Sequence, residues 1–257
     1  MEFLNPFPTQ QQVCYLTPEQ ADFESCYLQI RHLEGRVYSD DLVHQLPYVP
    51  ANHPQAKEWG LRHEATEKII EYIQQKKATK VLDLGCGNGW FTHRLAEQTE
   101  ATVLGVDVNK TELEQAARLF TTERCRFVYG DIFAGDWPET YFDIIILNSC
   151  VQYFGNLDRL LRTLLRMIQP SGEIHIIDSP FYAQSELPQA QKRSRQYYLK
   201  QGVEGMIDHY HHHSWESLSP YCHRILYHPR LWRNRLRRKL SGRASPFPWI
   251  AIQHPAL

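Results

Sequence analysis

Residues 80 to 90 read Lys-Val-Leu-Asp-Leu-Gly-Cys-Gly-Asn-Gly-Trp, a short apolar strand that runs straight into glycines at 85, 87 and 89. A helical stretch, Phe91 to Gln98, follows at once. Strand, tight turn and helix start in this order form the place where α/β proteins receive nucleotide-like ligands. Glycine permits the turn dihedrals and lets ligand atoms approach the backbone. A chain of 257 residues has room for one large α/β domain with additions.

The flanking pattern supports that reading. Strands are predicted at 80–84, 102–106, 125–129, 142–147 and 173–178, with helices at 89–98, 110–121 and 156–168 between them. Strands alternating with helices of this length imply a parallel sheet with right-handed crossovers. Pro170, Ser171 and Gly172 predict a turn ahead of the fifth strand. Upstream, residues 18–34 carry Phe23, Tyr27, Ile30 and Leu33 at helical spacing. Residues 35–54, with Gly35 and three prolines, read as mostly loop, and a second helix covers about 55–76 with Leu61, Ile69, Ile70 and Ile73 inward. After Pro180 the alternation breaks: a polar helix near 184–200, a His-rich segment at 208–215, strand candidates at 221–227 and 247–253, and a basic helix at 229–240.

The ligand is narrowed by what stands at the strand ends. A nicotinamide dinucleotide site usually shows G-x-G-x-x-G. Here the spacing is G-x-G-x-G, with Trp90 where the third glycine would fall. Asp83 ends the first strand, Asp107 the second, and Gly130-Asp131-Ile132 the third. A carboxylate beside the turn accepts from an ammonium or backbone donors. One at the second strand tip takes both hydroxyls of a ribose, and an acid followed by an apolar residue suits the amine and face of adenine.

On these residues the chain resembles the class I S-adenosylmethionine-dependent methyltransferases. The matching stretches are Val81 to Gly89, Gly105-Val106-Asp107, Gly130-Asp131-Ile132, Tyr141 to Ile146, and Pro170-Ser171-Gly172-Glu173, over about residues 60 to 180. The resemblance implies a Rossmann-like, seven-stranded, mostly parallel sheet with helices on both faces and an antiparallel last strand. It implies an N-terminal helical extension or lid at 1–54 and a methyltransferase domain at 55–257, with an insertion at 181–219 over the acceptor pocket. The cofactor would be S-adenosyl-L-methionine, giving S-adenosyl-L-homocysteine. Asp83, Gly85, Cys86, Gly87 and Asn88 would hold its methionine part. Asp107 and Val108 would hold the ribose and the adenine edge, Asp131 and Ile132 would flank the adenine, and Asn148 and Ser149 would lie beside the sulfonium. Arg62, ahead of the fold, would pair with the methionine carboxylate or make a surface ion pair. For Asp131, capping the turn that follows is a rival role.

Methyl transfer is an in-line displacement from an activated sulfonium, so the protein aligns the acceptor and removes water. The segment after the fourth strand reads Asn148-Ser149-Cys150-Val151-Gln152-Tyr153-Phe154, not the Asn/Asp-Pro-Pro-Tyr/Phe common where nucleic-acid bases are methylated. That departure argues against DNA and for a small-molecule acceptor methylated on O or N. Tyr153 and Phe154 would wall the methyl position or pack in the core. The run Asp208-His209-Tyr210-His211-His212-His213 offers a general base. His211, His212 and Tyr153 are therefore the catalytic candidates, with a solvated or packed histidine loop as the plain alternative. No metal site is expected, since the crowded histidines lack a carboxylate at defined spacing.

Net charge is −1, which gives no global pull toward nucleic acid. Charge is nonetheless uneven: from Ser217 onward there are eight Arg or Lys and no Asp or Glu. The basic helix is expected to dock its apolar side and expose its charge. An acidic or phosphorylated acceptor, a membrane surface, or an RNA acceptor is the sharper reading of the same residues. A protein that binds the cofactor without catalysis is a further alternative. Six cysteines without a C-x-x-C pair, and no long apolar run, lead to the expectation of a reduced, cytoplasmic protein.

Overall fold

The computed structural model describes residues 1–241 and 244–255. Its elements run β1 (Thr9–Gln10), β2 (Val13–Tyr15), α1 (Ala21–Leu33), α2 (Asp40–Gln45), α3 (Ala56–Lys76), β3 (Lys80–Leu84), α4 (Trp90–Gln98), β4 (Thr102–Asp107), α5 (Lys110–Phe120) and β5 (Cys125–Tyr129). They continue with β6 (Phe142–Asn148), α6 (Leu157–Met167), β7 (Ile168–Ile177), β8 (Phe181–Tyr182), α7 (Leu187–Gln201), β9 (His213–Ser214), β10 (Cys222–Tyr227), α8 (Trp232–Ser241) and β11 (Trp249–Gln253).

The strand residues alternate between two cores. Val81, Val103, Phe127 and Ile144 face one side, packed under α3, α4 and α5. Leu82, Leu104, Val128 and Ile145 face the other, under α6 and the N-terminal residues around Leu4. Each of these side chains is almost fully buried, and burying a Val, Leu, Ile or Phe contributes about 1.5–3 kcal/mol. Strands hydrophobic on both faces can survive only between two helical layers, and that is the arrangement found. Asn109 and Asn156 cap α5 and α6, accepting from Glu112 N at 3.0 Å and Arg159 N at 2.9 Å.

The sheet order is β1-β2-β5-β4-β3-β6-β7-β11-β10. Strands β2 through β7 pair in parallel, and β11 is antiparallel to both β7 and β10. The seven strands from β5 to β10 form the expected sheet. The other two are an addition the sequence reading did not include: β2 pairs with β5, and β1 turns back on β2. So the segment 1–54 is not only helical; part of it extends the sheet. Its buried Val13, Cys14 and Tyr15 sit on that strand.

Three local expectations change. The loop read over 35–54 contains α2, capped by Ser39. Leu61 is half-buried, while Trp59 and Thr66 join Ile69, Ile70 and Ile73 inside α3. Pro170-Ser171-Gly172 lies inside β7: Ile168 pairs with Phe142 and Glu173 with Ile144, so the intervening residues bulge rather than precede the strand. The basic helix also departs from its expected docking, since Leu231, Trp232 and Leu236 are 57%, 69% and 48% exposed. Neighbouring β10 is an edge strand with its own Ile225 and Leu226 open to solvent, so the helix finds no buried floor there. Among the described residues, no helix is long and apolar enough to cross a membrane.

A third, small core joins α1 to the segment after α7. Ile30, Tyr198, Val203 and Met206 are buried together, with Tyr27, Tyr153 and Tyr210 packed against them.

Candidate active site

The turn after β3 places its backbone at the sheet's carboxyl edge. Gly85, Gly87 and Gly89 all have positive φ, at 75°, 53° and 73°. At Gly85 the requirement is also steric: a Cβ there would lie 2.5 Å from Cys150 Cβ at the end of β6. Asp107 locks the turn. Its Oδ2 accepts from Gly87 N at 2.7 Å, and its Oδ1 from Val108 N and Asn109 N at 2.7 and 2.9 Å. A carboxylate has about four acceptor positions, so room for one hydroxyl partner remains.

Two adjoining cavities open at this edge. The first, about 80 Å³, runs between the glycine turn and α1, with Arg31, Trp59, Arg62, Asp83, Asn88, Glu112 and Asn148 in its walls. The second, about 270 Å³, continues over β4 and β5, with Phe23, Asp107, Val108, Asp131, Ile132, Phe133 and His209. Tyr27, Gly85, Gly87, Ser149 and Tyr153 line both. All twelve residues expected to bind the cofactor line one or the other: Arg62, Asp83, Gly85, Cys86, Gly87, Asn88, Asn148 and Ser149 the first, and Asp107, Val108, Asp131 and Ile132 the second.

The first cavity is polar and under-satisfied. Asp83 is buried; Oδ2 accepts from Thr92 Oγ1 at 2.6 Å, and Oδ1 has no partner. Burial, reinforced by nearby Asp107 and only partly offset by the Thr92 hydrogen bond, pushes its carboxyl up to about 7. Burial likewise raises Glu112 to about 7, against the pull of Arg31. Arg31 Nε is buried without a hydrogen-bond partner; its Nη1 meets Glu34 at 4.0 Å and its guanidinium lies 5.5 Å over the Tyr27 ring. An unpartnered carboxylate oxygen and an unpartnered guanidinium nitrogen in one polar pocket suit a zwitterionic amino-acid group. Arg62, by contrast, is engaged: it pairs with Glu58 at 3.1 Å and Asp178 at 3.6 Å and reaches Ser149 Oγ at 3.5 Å. Arg31 lies on a helix that showed only an amphipathic pattern in the sequence, so nothing there marked it as a site residue.

The second cavity is less polar. Asp131 performs the rival role and still lines it: Oδ1 accepts from Phe133 N at 2.8 Å, closing the turn, and Oδ2 accepts from Gln20 Nε2 at 3.1 Å. Ile132 and Phe133 supply an apolar floor, and Phe23 of α1 closes the top.

A third cavity, about 690 Å³, opens on the other side of the Ser149 backbone. Arg36, Lys57, Glu58, Arg62, Ser149, Gln152, Asp178, Tyr182, Tyr210 and Phe247 are among its walls. Ser149 lines all three cavities, and Arg62 the first and third.

The catalytic candidates part company. Tyr153 lines both cofactor-side cavities, packed edge-on against Phe23 and Tyr27 at 5.6 Å. Burial raises its phenol, which keeps it protonated near neutral pH. His211 and His212 line none of the three cavities. The His211 ring packs against Gly155, and His212 Nε2 lies 2.9 Å from Ser194 Oγ. His213 is buried with Nε2 3.1 Å from Val151 O. His211 and His213 fasten the insertion to the segment after β6, His212 ties to α7 within the insertion, and burial lowers the pKa of each. The histidine that does reach the second cavity is His209, seated edge-on to Phe23 at 5.4 Å. Among the described residues there is no cluster of three His, Cys, Asp or Glu placed to hold a metal ion.

Residues 75–237 match a family model described as a methyltransferase domain. The chain belongs to this family, the class I S-adenosylmethionine-dependent methyltransferases. Among curated proteins, the methyltransferase is similar to malonyl-(acyl-carrier protein) O-methyltransferase of Erwinia billingiae, at 34% identity over 116 residues, 45% of each chain. It is also similar to phosphoethanolamine N-methyltransferase 1 of Arabidopsis thaliana, at 27% identity over 117 residues, 45% of this chain and 24% of that one. The chain thus spans less than half the length of these two relatives. A solved S-adenosylmethionine-dependent methyltransferase from Mesorhizobium loti superposes with a TM-score of 0.54 at 17% identity, covering 76% of this chain and 100% of that one. The fold is therefore shared, while part of this chain has no counterpart in that structure. The residues present fit the family's cofactor: unpartnered Asp83 Oδ1 and Arg31 Nε at one end, an apolar slot with an acid at the other, and a glycine turn between them.

Proposed function

We propose that this methyltransferase moves a methyl group from S-adenosylmethionine to oxygen or nitrogen of a small molecule held in the third cavity. The observation that carries the reading is Ser149. Its backbone, at φ 58°, ends β6 at the point shared by the cofactor-side cavities and the third one. A methyl donor on one side and an acceptor on the other would meet there.

In this reading Asp83 and Arg31 hold the ammonium and carboxylate of the methionine part, and Gly85, Gly87 and Asn88 present backbone to it. Asp107 accepts from the ribose, and Asp131, Ile132 and Val108 surround the adenine. Asn148 and Ser149 flank the sulfonium. When bound, the cofactor supplies an electrophilic methyl; the chain supplies alignment and a dry site. Residues 1–54 act as cover and 55–257 as the catalytic domain, with 181–219 over the acceptor. The buried contacts between α1 and the segment after α7 support that division. An acidic or phosphorylated acceptor would meet Lys57 at the rim, because Arg36 and Arg62 are already paired with Glu58. No described residue of α8 lines the three cavities, so the RNA reading draws no support from the site.

Calorimetric titration tests the reading. S-adenosylmethionine and S-adenosylhomocysteine should bind at micromolar levels and NAD should not, with binding lost in Asp107→Ala. Binding of NAD alone, or of none of the three, would refute it.

A further inference from the structure

The acceptor cavity contains a carboxylate that the sequence reading passed over. Asp178 follows β7 and adopts φ 50°, in the left-handed region, just as Ser149 does after the neighbouring strand β6. Side chains pay for that conformation, and non-glycine residues held in it cluster at working sites. Both bend the chain at the same edge, and Arg62 bridges them, 3.5 Å from Ser149 Oγ and 3.6 Å from Asp178 Oδ2. The Asp178 side chain is only 11% exposed, and it lines the third cavity beside Ser149.

The charges around it are balanced. Arg36 makes a two-pronged pair with Glu58, at 2.7 and 2.5 Å, and Arg62 bridges Glu58 and Asp178. Glu64 and Lys68 of α3 share a small neighbouring cavity with Asp178, and the phenols of Tyr182, Tyr210 and Tyr227 share its two cavities. Both guanidiniums of the wall are answered by carboxylates, Arg36 by Glu34 at 3.3 Å as well, and the remaining cation of the lining, Lys57, is exposed at the rim, so no buried charge is left for a charged reacting group to answer. Rings and prolines make up much of the remaining wall, with Tyr182, Tyr210 and Phe247 beside Pro54, Pro180 and Pro246, and Gln55, Gln152 and Leu61 between them. A cavity of about 690 Å³ lies within the usual range for a drug-sized ligand.

We propose that Asp178 is the general base of an O-methyltransferase site whose acceptor is an uncharged, ring-bearing molecule presenting a hydroxyl at Ser149. This rests on the third cavity being the acceptor site. The acceptor oxygen forms a bond to the methyl carbon as the methyl–sulfur bond breaks and its electron pair returns to sulfur. The hydroxyl proton passes to the Asp178 carboxylate, and the products are the methyl ether and neutral S-adenosylhomocysteine. Burial raises the Asp178 carboxyl above its ordinary range while Arg62 opposes the rise, so it is a stronger base than a surface aspartate. His211 and His212 are not needed.

Three probes on one ring test this: 5-hydroxyindole, 5-aminoindole and indole-5-carboxylate, each with tritiated S-adenosylmethionine. The expected result is methylation of 5-hydroxyindole above the other two. Asp178→Asn keeps the side-chain shape and tolerates positive φ. It should lower kcat at least about 100-fold, leave S-adenosylhomocysteine affinity within twofold, and abolish the ascending limb of the kcat–pH profile. Preference for the amine or the carboxylate, refusal of all three by the cofactor-loaded protein, or an Asp178→Asn variant of undiminished kcat would each overturn the proposal. If S-adenosylhomocysteine itself fails to bind, the parent reading falls; if it binds and the hydroxyl probe is refused, only this inference does.

Discussion

In the proposed reading, Asp83 would couple cofactor binding to pH. Its carboxyl is buried, lacks a partner on Oδ1, and is pushed from the ordinary 3.8 up to about 7. If the cofactor's ammonium meets that oxygen, binding requires the ionised form. At pH 6 a group of pKa about 7 is about nine-tenths protonated, and at pH 8 about nine-tenths ionised. S-adenosylhomocysteine should therefore bind about tenfold more weakly at pH 6 than at pH 8, and calorimetry in buffers of different ionisation enthalpy should show a proton released near pH 6. In the free protein the same shift has the opposite consequence for stability. A raised folded-state pKa gives a contribution that is complete below pH 3.8 and lost as pH rises through about 7, about 4 kcal/mol in all. Between pH 6 and 8 the loss is about 1 kcal/mol. Asp83→Asn should remove both effects: a flat affinity profile, and a wild-type-minus-variant stability difference that changes across this window. Taking that difference isolates Asp83 from Glu112, which burial raises to about 7 as well. An affinity that is level from pH 6 to 8 in the wild type, with no proton released, would refute the placement of the ammonium against Asp83.

Arg31→Gln should weaken S-adenosylhomocysteine at least about tenfold by calorimetry, the loss of a charge-assisted pair, while leaving the urea midpoint unchanged. Gly89→Ala would drive a methyl to 2.6 Å from Ala116 Cβ and 2.7 Å from the Phe127 ring at φ 73°, so it should cost about 3 kcal/mol or more. Gly202→Ala, at φ 70° with open space around it, should cost only about 1 kcal/mol, and urea denaturation compares the two. Glu173, beside Tyr72 at 2.6 Å, Arg224 at 2.7 Å and Lys76 at 3.2 Å, is held down at about 2: burial opposes ionisation, but the His175 ring at 3.3 Å and hydrogen bonds from Tyr72 and Lys76 overcome it. Glu173→Gln should cost about 3 kcal/mol at pH 7; the contribution is whole above pH 4.5 and lost as pH falls toward 2, so melting curves of wild type and variant should converge in acid.

What the sequence disclosed follows from how locally each feature is encoded. Strands β3 to β6 announce themselves as short, mostly apolar runs that end at a glycine or a polar residue, Gly85, Asp107, Gly130 and Asn148, and the residues expected on the cofactor side stand at those strand ends. Their places in the structure need only the turn chemistry beside them, such as Asp107 gathering three backbone donors from its own turn and the next. Hairpin β1–β2 was illegible for the opposite reason. Two and three residues carry no period, and they become strands only because β5 offers an open edge. Arg31 and Asp178 were missed likewise: their isolation or strain exists only once α1 and β7 are brought to one edge. The histidine run is conspicuous in composition, and the structure turns three of its imidazoles to Gly155, Ser194 and a backbone carbonyl, contacts that composition alone does not reveal.

The sheet order also divides the labour of the site. The ends of β3, β4 and β5 carry the cofactor-side cavities, the end of β7 carries Asp178, and the end of β6 lies between them. In the proposed reading, a donor and an acceptor seated on either side of the end of β6 would approach one another along the sheet edge, as a displacement at carbon requires of its two reactants. The covers obey the same geometry. Tyr27 of α1 roofs both cofactor-side cavities, Tyr210 of the insertion walls the acceptor cavity, and both pack with Tyr153 on the four-residue core of Ile30, Tyr198, Val203 and Met206. If the proposed reading holds, so small a core would open at a lower local free energy than the two large cores beneath the sheet. One cluster would then govern both entrances: releasing it would expose cofactor and acceptor together, and a cofactor that engages Arg31 on α1 would tighten the roof over the acceptor as well.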